Sequence, residues 1–369
     1  MSRSAFWLVV CVALLFSFGL LMIFNTTAAQ IMDRSLELST HTVLLKQFLY
    51  GFIGLLLGVS VQRYGYQKFL KISFPCLVGG TLLLVLLFIP GIGQTVNGAR
   101  RWLSFFGVSF QPSECIKILI PATYIHWFLK QPKGPIALKS FLTILSVLAI
   151  PMILILLQPD NGTTAIITFV LIVLFLLTRI QWLYWVLPLC VLVGLGSIAA
   201  YQMPHVHDRI RIYLHPELDL RGKGHQPYQA KIATGSGGLL GRGLGESLQK
   251  LNYLPEARND YIAAIFAEET GFVGILGLIS VYVCFTYSGF LVALQAPDKG
   301  GFLLASILTF LISSQAFLNL GIVSGLLPSK GMTLPFFSQG GTSLIVNLVI
   351  LFILLDVSRK SKKEMWSES

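Results

Sequence analysis

Apolar residues in this chain do not alternate with polar ones; they run together in long blocks. A helix needs ~20 mostly apolar residues to cross ~30 Å of hydrocarbon. Ten blocks of that kind predict spans near 5–25, 42–62, 70–90, 112–130, 140–158, 161–179, 182–203, 261–291, 301–326 and 340–357. The fourth and the long eighth are the least uniform. One polar stretch is long, about 204–260, between the seventh and eighth blocks. The pattern predicts an all-α polytopic membrane protein, one integral membrane domain over 1–369, with about ten transmembrane helices.

Composition agrees with that reading. Hydrophobic residues make up 54% of the chain and charged residues 12%, about half the ~25% charged share of a soluble domain. The first block follows Arg3 and precedes "NTTAAQ", which resembles a cleavage site. It exceeds the ~7–15 apolar residues of a signal-peptide core, so it reads as a retained span.

Cytoplasmic loops carry the excess of Lys and Arg. With the N-terminus inside, the inner segments hold Arg3, Arg63, Lys68, Lys71, Lys130, Lys133, Lys139, Arg179, Lys299 and the basic tail 358–369. The short outer loops hold only Arg34, Arg100, Arg101 and Lys330. Both termini are therefore expected to be cytoplasmic, and 204–260 to be one large extracytoplasmic loop. The net charge of +11 follows from this bias and gives no reason to invoke nucleic acid. The basic tail reads as a topology anchor at the inner leaflet.

Metal and nucleotide chemistry find little support. The five cysteines are scattered through apolar blocks without ligand spacing. His205, His207 and Asp208 in "HVHD" lack further ligands at metal-like spacing. "GSGGLLGRGLGES" is glycine-rich but lacks the Gly-Lys-Ser/Thr ending of a phosphate loop; its glycines read as close packing or backbone flexibility.

The charged residues at the membrane are more informative. An unpaired charge near the bilayer centre costs ~2.5–3.5 kcal/mol on insertion scales, so each one needs a reason. Asn97, Arg100, Arg101 and Trp102 lie in the second outer loop, just before a span that opens on Pro112. Glu114 and Lys117, at i and i+3, share one face of that helix; a helix-locking ion pair and a substrate role both remain open. Asp160 in "LLQPDNGTT" sits in good turn chemistry and reads as structural.

Asp260 heads the eighth span beside Arg258. Its plain role is a helix-start acid favoured by the dipole. Glu268 follows eight residues later, about 12 Å deeper at ~1.5 Å per residue. Glu268 and Glu269 are ~100° apart around the axis, so at least one faces the bundle interior and neither faces lipid. The last outer loop, "SGLLPSKGMTLPFFSQGGTSLIV", carries Lys330. Irregular backbone at that depth is tolerated inside protein or beside a water-filled cavity, so this loop is expected to fold back over a cavity mouth.

Taken together these motifs are no longer anonymous. "NGARRW" with "QPSECIK", "QPDNGT", "GSGGLLGRGLGESLQKLNYLPEARNDYIAAIFAEETGFVG" and "GLLPSKGMTLPFFSQGG" resemble, in order, the motifs of the SEDS family, the shape, elongation, division and sporulation proteins. The resemblance covers nearly the whole chain and its ten-span pattern. "QKLNYLPEA" and "PSKGMTLP" look more like the division branch than the elongation branch. The chain departs from the family pattern at three places. It reads Arg258, Asn259, Asp260, Tyr261 where His-Thr-Asp-Phe is common, Asn161 where Leu is usual, and Gln339 where Tyr is usual.

The resemblance implies a peptidoglycan glycosyltransferase that polymerises lipid II into glycan strands at the outer face of the bacterial cytoplasmic membrane. It implies partners too: a class B penicillin-binding protein that crosslinks, and further division proteins of the membrane. It makes Asp260 the catalytic residue. Arg100, Arg101, Lys117 and Lys330 become diphosphate or substrate contacts together with Glu114, supported by Asn97, Trp102, Asp160, Arg258, Glu268 and Glu269. A divalent cation, Mg or Mn, could share the diphosphate, although no ligand cluster for it is visible. Two other classes stay open, a lipid II flippase and a non-catalytic scaffold that activates a transpeptidase.

Overall fold

The computed structural model describes residues 2–34, 40–91, 93–96, 99–105, 108–132, 134–190, 213, 215–219, 222, 224–250, 258–328 and 331–367. The helices in chain order are α1 (Arg3–Arg34), α2 (Thr40–Tyr64), α3 (Tyr66–Leu86), α4 (Pro112–Leu129), α5 (Leu138–Leu157), α6 (Asn161–Leu177), α7 (His225–Ser236), α8 (Ile262–Leu294), α9 (Lys299–Val323) and α10 (Gly341–Ser367). A further helical segment covers 182–190, the first half of the predicted seventh span; the second half lies outside the described residues.

Seven of these helices are long and apolar enough to cross a membrane: α1, α2, α3, α5, α8, α9 and α10. The chain is a helical, multi-pass membrane protein. α6 is a shorter apolar helix, and α4 is interrupted by the charges of Glu114 and Lys117. α3 runs from 66 rather than from the expected 70, and apolar Phe88 and Ile89 fall in the turn that follows it.

All-α was not quite right. Between α3 and α4 the chain forms a three-stranded antiparallel sheet, β1 (Gly93–Val96), β2 (Ala99–Phe105) and β3 (Val108–Phe110). Gly93 pairs with Leu103 and Val96 with Ala99; Leu103 pairs with Phe110. The local chemistry favours this, since Thr, Val, Trp and Phe fit a pleated surface. The sequence between β1 and β2 is Asn-Gly, the pair preferred in tight hairpins. The sheet carries Arg100, Arg101 and Trp102 on β2.

α9 and α10 form the centre of the bundle: 67% and 78% of their apolar windows are buried, against 28% for α3 and for α5. α10 packs closely on α2 because Gly54 and Gly58 leave room for Leu348 and Phe352. Close backbone approach over small residues is how helices gain contact where lipid supplies no hydrophobic drive between them. Ser2 Oγ lies 2.6 Å from Ser358 Oγ, so the chain begins and nearly ends at one end of the bundle.

α8 is two limbs, not one span. At Gly271 the backbone turns to φ 66°, ψ −164°, which breaks the helix between 270 and 272. The bonds lost there are replaced by the glycine-rich turn after α7. Arg242 N donates to Glu268 O and Gly243 N to Glu269 O, both at 3.0 Å. Phe272 N donates to Gly238 O at 2.9 Å and Val273 N to Leu239 O at 3.2 Å. A side chain at Gly241 would strike the Glu269 carbonyl, and one at Gly271 the Gly241 amide, so these glycines serve close approach.

The carboxylates beside the break hold the same loop. Glu268 and Glu269 are each 1% exposed. Glu268 accepts from Ser247 Oγ at 2.5 Å, Leu248 N at 3.1 Å and Gln249 N at 3.3 Å, and lies 3.6 Å from Arg242. Glu269 pairs with Lys250 at 3.0 Å and accepts from Asn25 Nδ2 of α1 at 2.6 Å. Lys250 also donates to Asn25 Oδ1 at 2.7 Å. α1, the loop and α8 are thereby tied at one buried point.

Gly271→Ala should destabilise the fold sharply. The conformation is one that only glycine adopts freely, worth about 1–3 kcal/mol by itself, and the new methyl also meets backbone. Thermal unfolding in detergent checks this; a melting temperature equal to that of the parent would mean the break tolerates a side chain.

Candidate active site

Four helix N-termini, those of α4, α6, α8 and α10, meet with the C-terminal half of α9 at the end of the bundle away from Ser2. Each start has a local cause. α4 opens on Pro112, whose missing N–H costs nothing in a first turn. α6 is capped by Asp160, which accepts from Thr163 N at 3.3 Å and Thr163 Oγ1 at 2.9 Å. The starts are stitched together: Gln111 N donates to Thr342 Oγ1 of α10 at 2.9 Å, and Gln111 Nε2 to Asp160 Oδ2 at 3.4 Å.

A strap over 331–340 lies across this junction. It was expected to cover a cavity mouth as a loop; it is packed into the bundle, with Leu334, Phe336 and Phe337 at most 3% exposed. Tyr282 of α8 donates to Pro335 O at 2.6 Å, and Phe337 meets Phe266 edge to face at 5.4 Å.

A buried polar chain links α4 to the strap. Lys117 Nζ lies 2.8 Å from Glu114 Oε2 and donates to Gln315 Oε1 at 3.1 Å. The Glu114 contact is an ion pair by distance, but Glu114 Oε2 receives no well-directed hydrogen bond. Gln315 Nε2 in turn donates to Thr333 O at 2.9 Å, and Thr333 Oγ1 lies 3.1 Å from Ser343 Oγ. These partners fix the amide: its oxygen faces an ammonium and its nitrogen a carbonyl. One turn along α9, Asn319 Nδ2 bridges Asp260 O at 2.9 Å and Met332 O at 2.6 Å.

Asp260 therefore sits in a half-buried turn held against the strap. Its carboxylate faces the strap backbone at Gly331, where an added side chain would meet it. The turn is fixed again by Gln339 N, which donates to Arg258 O at 3.0 Å. Among the described residues, Asn319 Oδ1 and Gln339 Oε1 are buried acceptors without a hydrogen-bond partner.

The other sequence-derived residues fall in distinct places. Arg100 is exposed on β2, and Trp102 is half-buried on the same strand. Arg101 is engaged by the α5–α6 turn. It donates through Nε to Gln158 O at 3.1 Å and through Nη2 to Pro159 O, and lies 3.6 Å from Asp160. A phosphate would have to compete with those contacts. Glu268 and Glu269 belong to the loop anchor rather than to the Lys117 chain. Asn97 and Lys330 lie outside the described residues. Among the described residues no group of three or more His, Cys, Asp or Glu is placed to hold a metal ion.

Several participants escaped the sequence reading. Gln315 and Asn319 left a legible trace, two amides four residues apart on one face of an apolar helix. Lys250 and Asn25 left none, because their meeting depends on how the loop returns to α1.

The family follows from the match along the chain. A model described as "Cell cycle protein", spanning FtsW, RodA and SpoVE, matches residues 5–363. The chain belongs to this family. A probable peptidoglycan glycosyltransferase FtsW of Legionella pneumophila is 34% identical over 361 residues, covering 96% of this chain and 91% of that one. One from Nitrosomonas europaea is 35% identical over 369 residues, covering 96% and 92%. Among solved structures, the chain is similar to one from a study of how a peptidoglycan synthase complex coordinates polymerization and crosslinking. That likeness has a TM-score of 0.78 at 26% identity and covers 96% of this chain and 97% of that one. Thermus thermophilus RodA matches with a TM-score of 0.68 at 26% identity, covering 96% of each. The family match takes in the broken helix, the strap and Asp260 together.

Exchanging the charges of the α4 pair tests whether it is only a pair. Lys117→Met strands the Glu114 charge and should cost about 3–5 kcal/mol. Combining E114K with K117E should recover only part of that, because the carboxylate at position 117 would face Gln315 Oε1. Melting temperatures of the parent and the two variants decide it, and full recovery in the double variant would show that the contact to Gln315 contributes nothing.

Proposed function

We propose that this chain is a peptidoglycan glycosyltransferase that polymerises lipid II at the outer face of the bacterial cytoplasmic membrane during septal wall synthesis. Asp260 acts as its general base. The relatives named FtsW support the reaction and the branch. The observation that carries the site is the position of Asp260, where the strap, α9 and the helix starts converge.

The proposed topology has ten spans, with both termini cytoplasmic and 204–260 outside. Two observations support it: the Ser2–Ser358 contact, and the basic residues Arg63, Lys68, Lys71 and Lys130, which fall near the ends of α2, α3 and α4 remote from Asp260. Seven long spans, α4, α6 and the helical segment 182–190 supply the elements.

The reaction joins a sugar 4-hydroxyl to the anomeric carbon of a diphosphate-linked glycan and expels a lipid diphosphate. The new C–O bond forms as the bond to the diphosphate breaks. Asp260 takes the hydroxyl proton, a contribution of about 10²–10⁴-fold. Positive charge must meet the leaving group. Arg100 on β2 and Lys330 are assigned that role, aided by the helix N-termini, whose dipoles favour anions. Glu114 and Lys117 hold the strap through Gln315 and so position Asp260 from behind. An apolar groove of about 380 Å³ between α1 and α8, walled by Phe337 of the strap, suits the lipid portion of such a substrate.

A crosslinking transpeptidase, a class B penicillin-binding protein, is the proposed partner, together with other membrane proteins of the division machinery. The similarity to a structure from a synthase complex supports the first of these. Purified chain, with and without that transpeptidase, should polymerise labelled lipid II. Asp260→Asn should lower the rate at least about 10²-fold without changing the melting temperature. A variant polymerising at the parent rate would remove Asp260 from the chemistry, and translocation without polymer would favour a flippase.

A further inference from the structure

A second cavity, with polar as well as apolar groups in its wall, lies at the opposite end of the bundle from Asp260, and the glycosyltransferase reading leaves it without a task. It has a volume of about 410 Å³ and is bordered by Phe128, Gln131, Thr178, Arg179, Tyr184 and Lys299. It opens where the C-terminal ends of α4 and α6 meet the starts of α5 and α9. We propose that this cavity binds the phosphate headgroup of an anionic phospholipid from the adjoining leaflet, through Arg179 and Lys299. In the proposed topology that is the inner leaflet.

One of these cations sits where simple helix electrostatics does not account for it. Lys299 is the first residue of α9, the positive end of the helix dipole, where a cation is disfavoured. Its ammonium lies 4.5 Å from the ring centroid of Phe128, which also lines the cavity. Arg179, just past the end of α6 where the dipole favours a cation, holds φ 53° as the left-handed residue that closes that helix: its N donates to Leu176 O at 3.1 Å and Ile180 N to Phe175 O at 3.0 Å. Glycine meets that conformation at little cost, whereas it costs a residue with a Cβ roughly 1–2 kcal/mol. The helix end accounts for the conformation; arginine at a position that favours glycine, on the lip of a cavity, points to a use for the side chain. Among the described residues neither cation has a carboxylate within ion-pair distance.

The surroundings suit a lipid better than a soluble anion. Leu129, Trp182 and Leu183 beside the opening are 42%, 66% and 52% exposed, apolar surface that acyl chains would cover. Trp at such a level is typical of the membrane–water interface. Ala137 gives α5 no side-chain cap, and Pro135 and Ile136 just before it line the same mouth. Basic pockets between helix ends are a recurring way of holding anionic headgroups.

Native mass spectrometry of the full chain in detergent tests this, with phosphatidylglycerol and phosphatidylcholine as probes. The parent should retain one phosphatidylglycerol and release phosphatidylcholine. Arg179→Gly and Lys299→Gln should each weaken retention about 5-fold, the size expected for one interfacial cation. Arg179→Gly should melt at or above the parent temperature because it relieves the backbone, which separates binding from folding. If Arg179→Gly fails to fold, Lys299→Gln decides alone. Equal retention of the two lipids, unchanged retention in the variants, or complete displacement by millimolar inorganic phosphate would each overturn the proposal.

Discussion

Inside a bilayer no water stands ready to satisfy a broken helix, so each backbone amide and carbonyl must find its partner within the protein. The break at Gly271 is where this requirement bears hardest. The glycine turn over 237–243 answers it with four backbone bonds, and the carboxylates of Glu268 and Glu269 fasten the loop beside it to α8 and α1. With the break satisfied, the first limb of α8 can present its start, and Asp260 with it, to the strap. Breaking one buried ion pair costs about 3–5 kcal/mol, a large share of the margin of a folded protein; the arrangement is therefore rigidly specified.

The same logic organises the Asp260 end. Lys117 cannot sit in apolar surroundings alone, and Glu114 answers its charge while Gln315 takes a further hydrogen. Gln315 and Asn319 then carry that constraint to the strap and to the backbone of Asp260. Intramembrane charge in this chain positions backbone. The opposite end differs: among the described residues Arg179 and Lys299 have no carboxylate within ion-pair distance, and Lys299 lies over the Phe128 ring.

Much of this was legible in the residues. Length and uniformity of the apolar blocks placed nine of the helices, because a long apolar run can satisfy its backbone on its own only as a helix. The glycines of "GSGGLLGRGLGES" were read as close packing or backbone flexibility, and Gly241 serves close packing. Asp160 was read as structural from its turn, and it caps α6. The sheet at 93–110 escaped notice, since a short stretch between spans looks like any loop; Asn97-Gly98 was its one clue. The split of α8 escaped as well, because Gly271 in an apolar run resembles any tolerated helix glycine.

Sequence alone determined the membrane class, the family resemblance and the chemical inventory: which stretches are long and apolar, and which acids and bases go with them. Those follow from local properties, hydrophobic length and residue type, that need no knowledge of neighbours. Tertiary structure decided the partners. Lys250 meets Glu269 across 19 residues and Asn25 across 225, and Lys117 meets Gln315 across 198. Such contacts depend on the packing of helices that lie far apart in the chain, and no spacing rule reaches that distance.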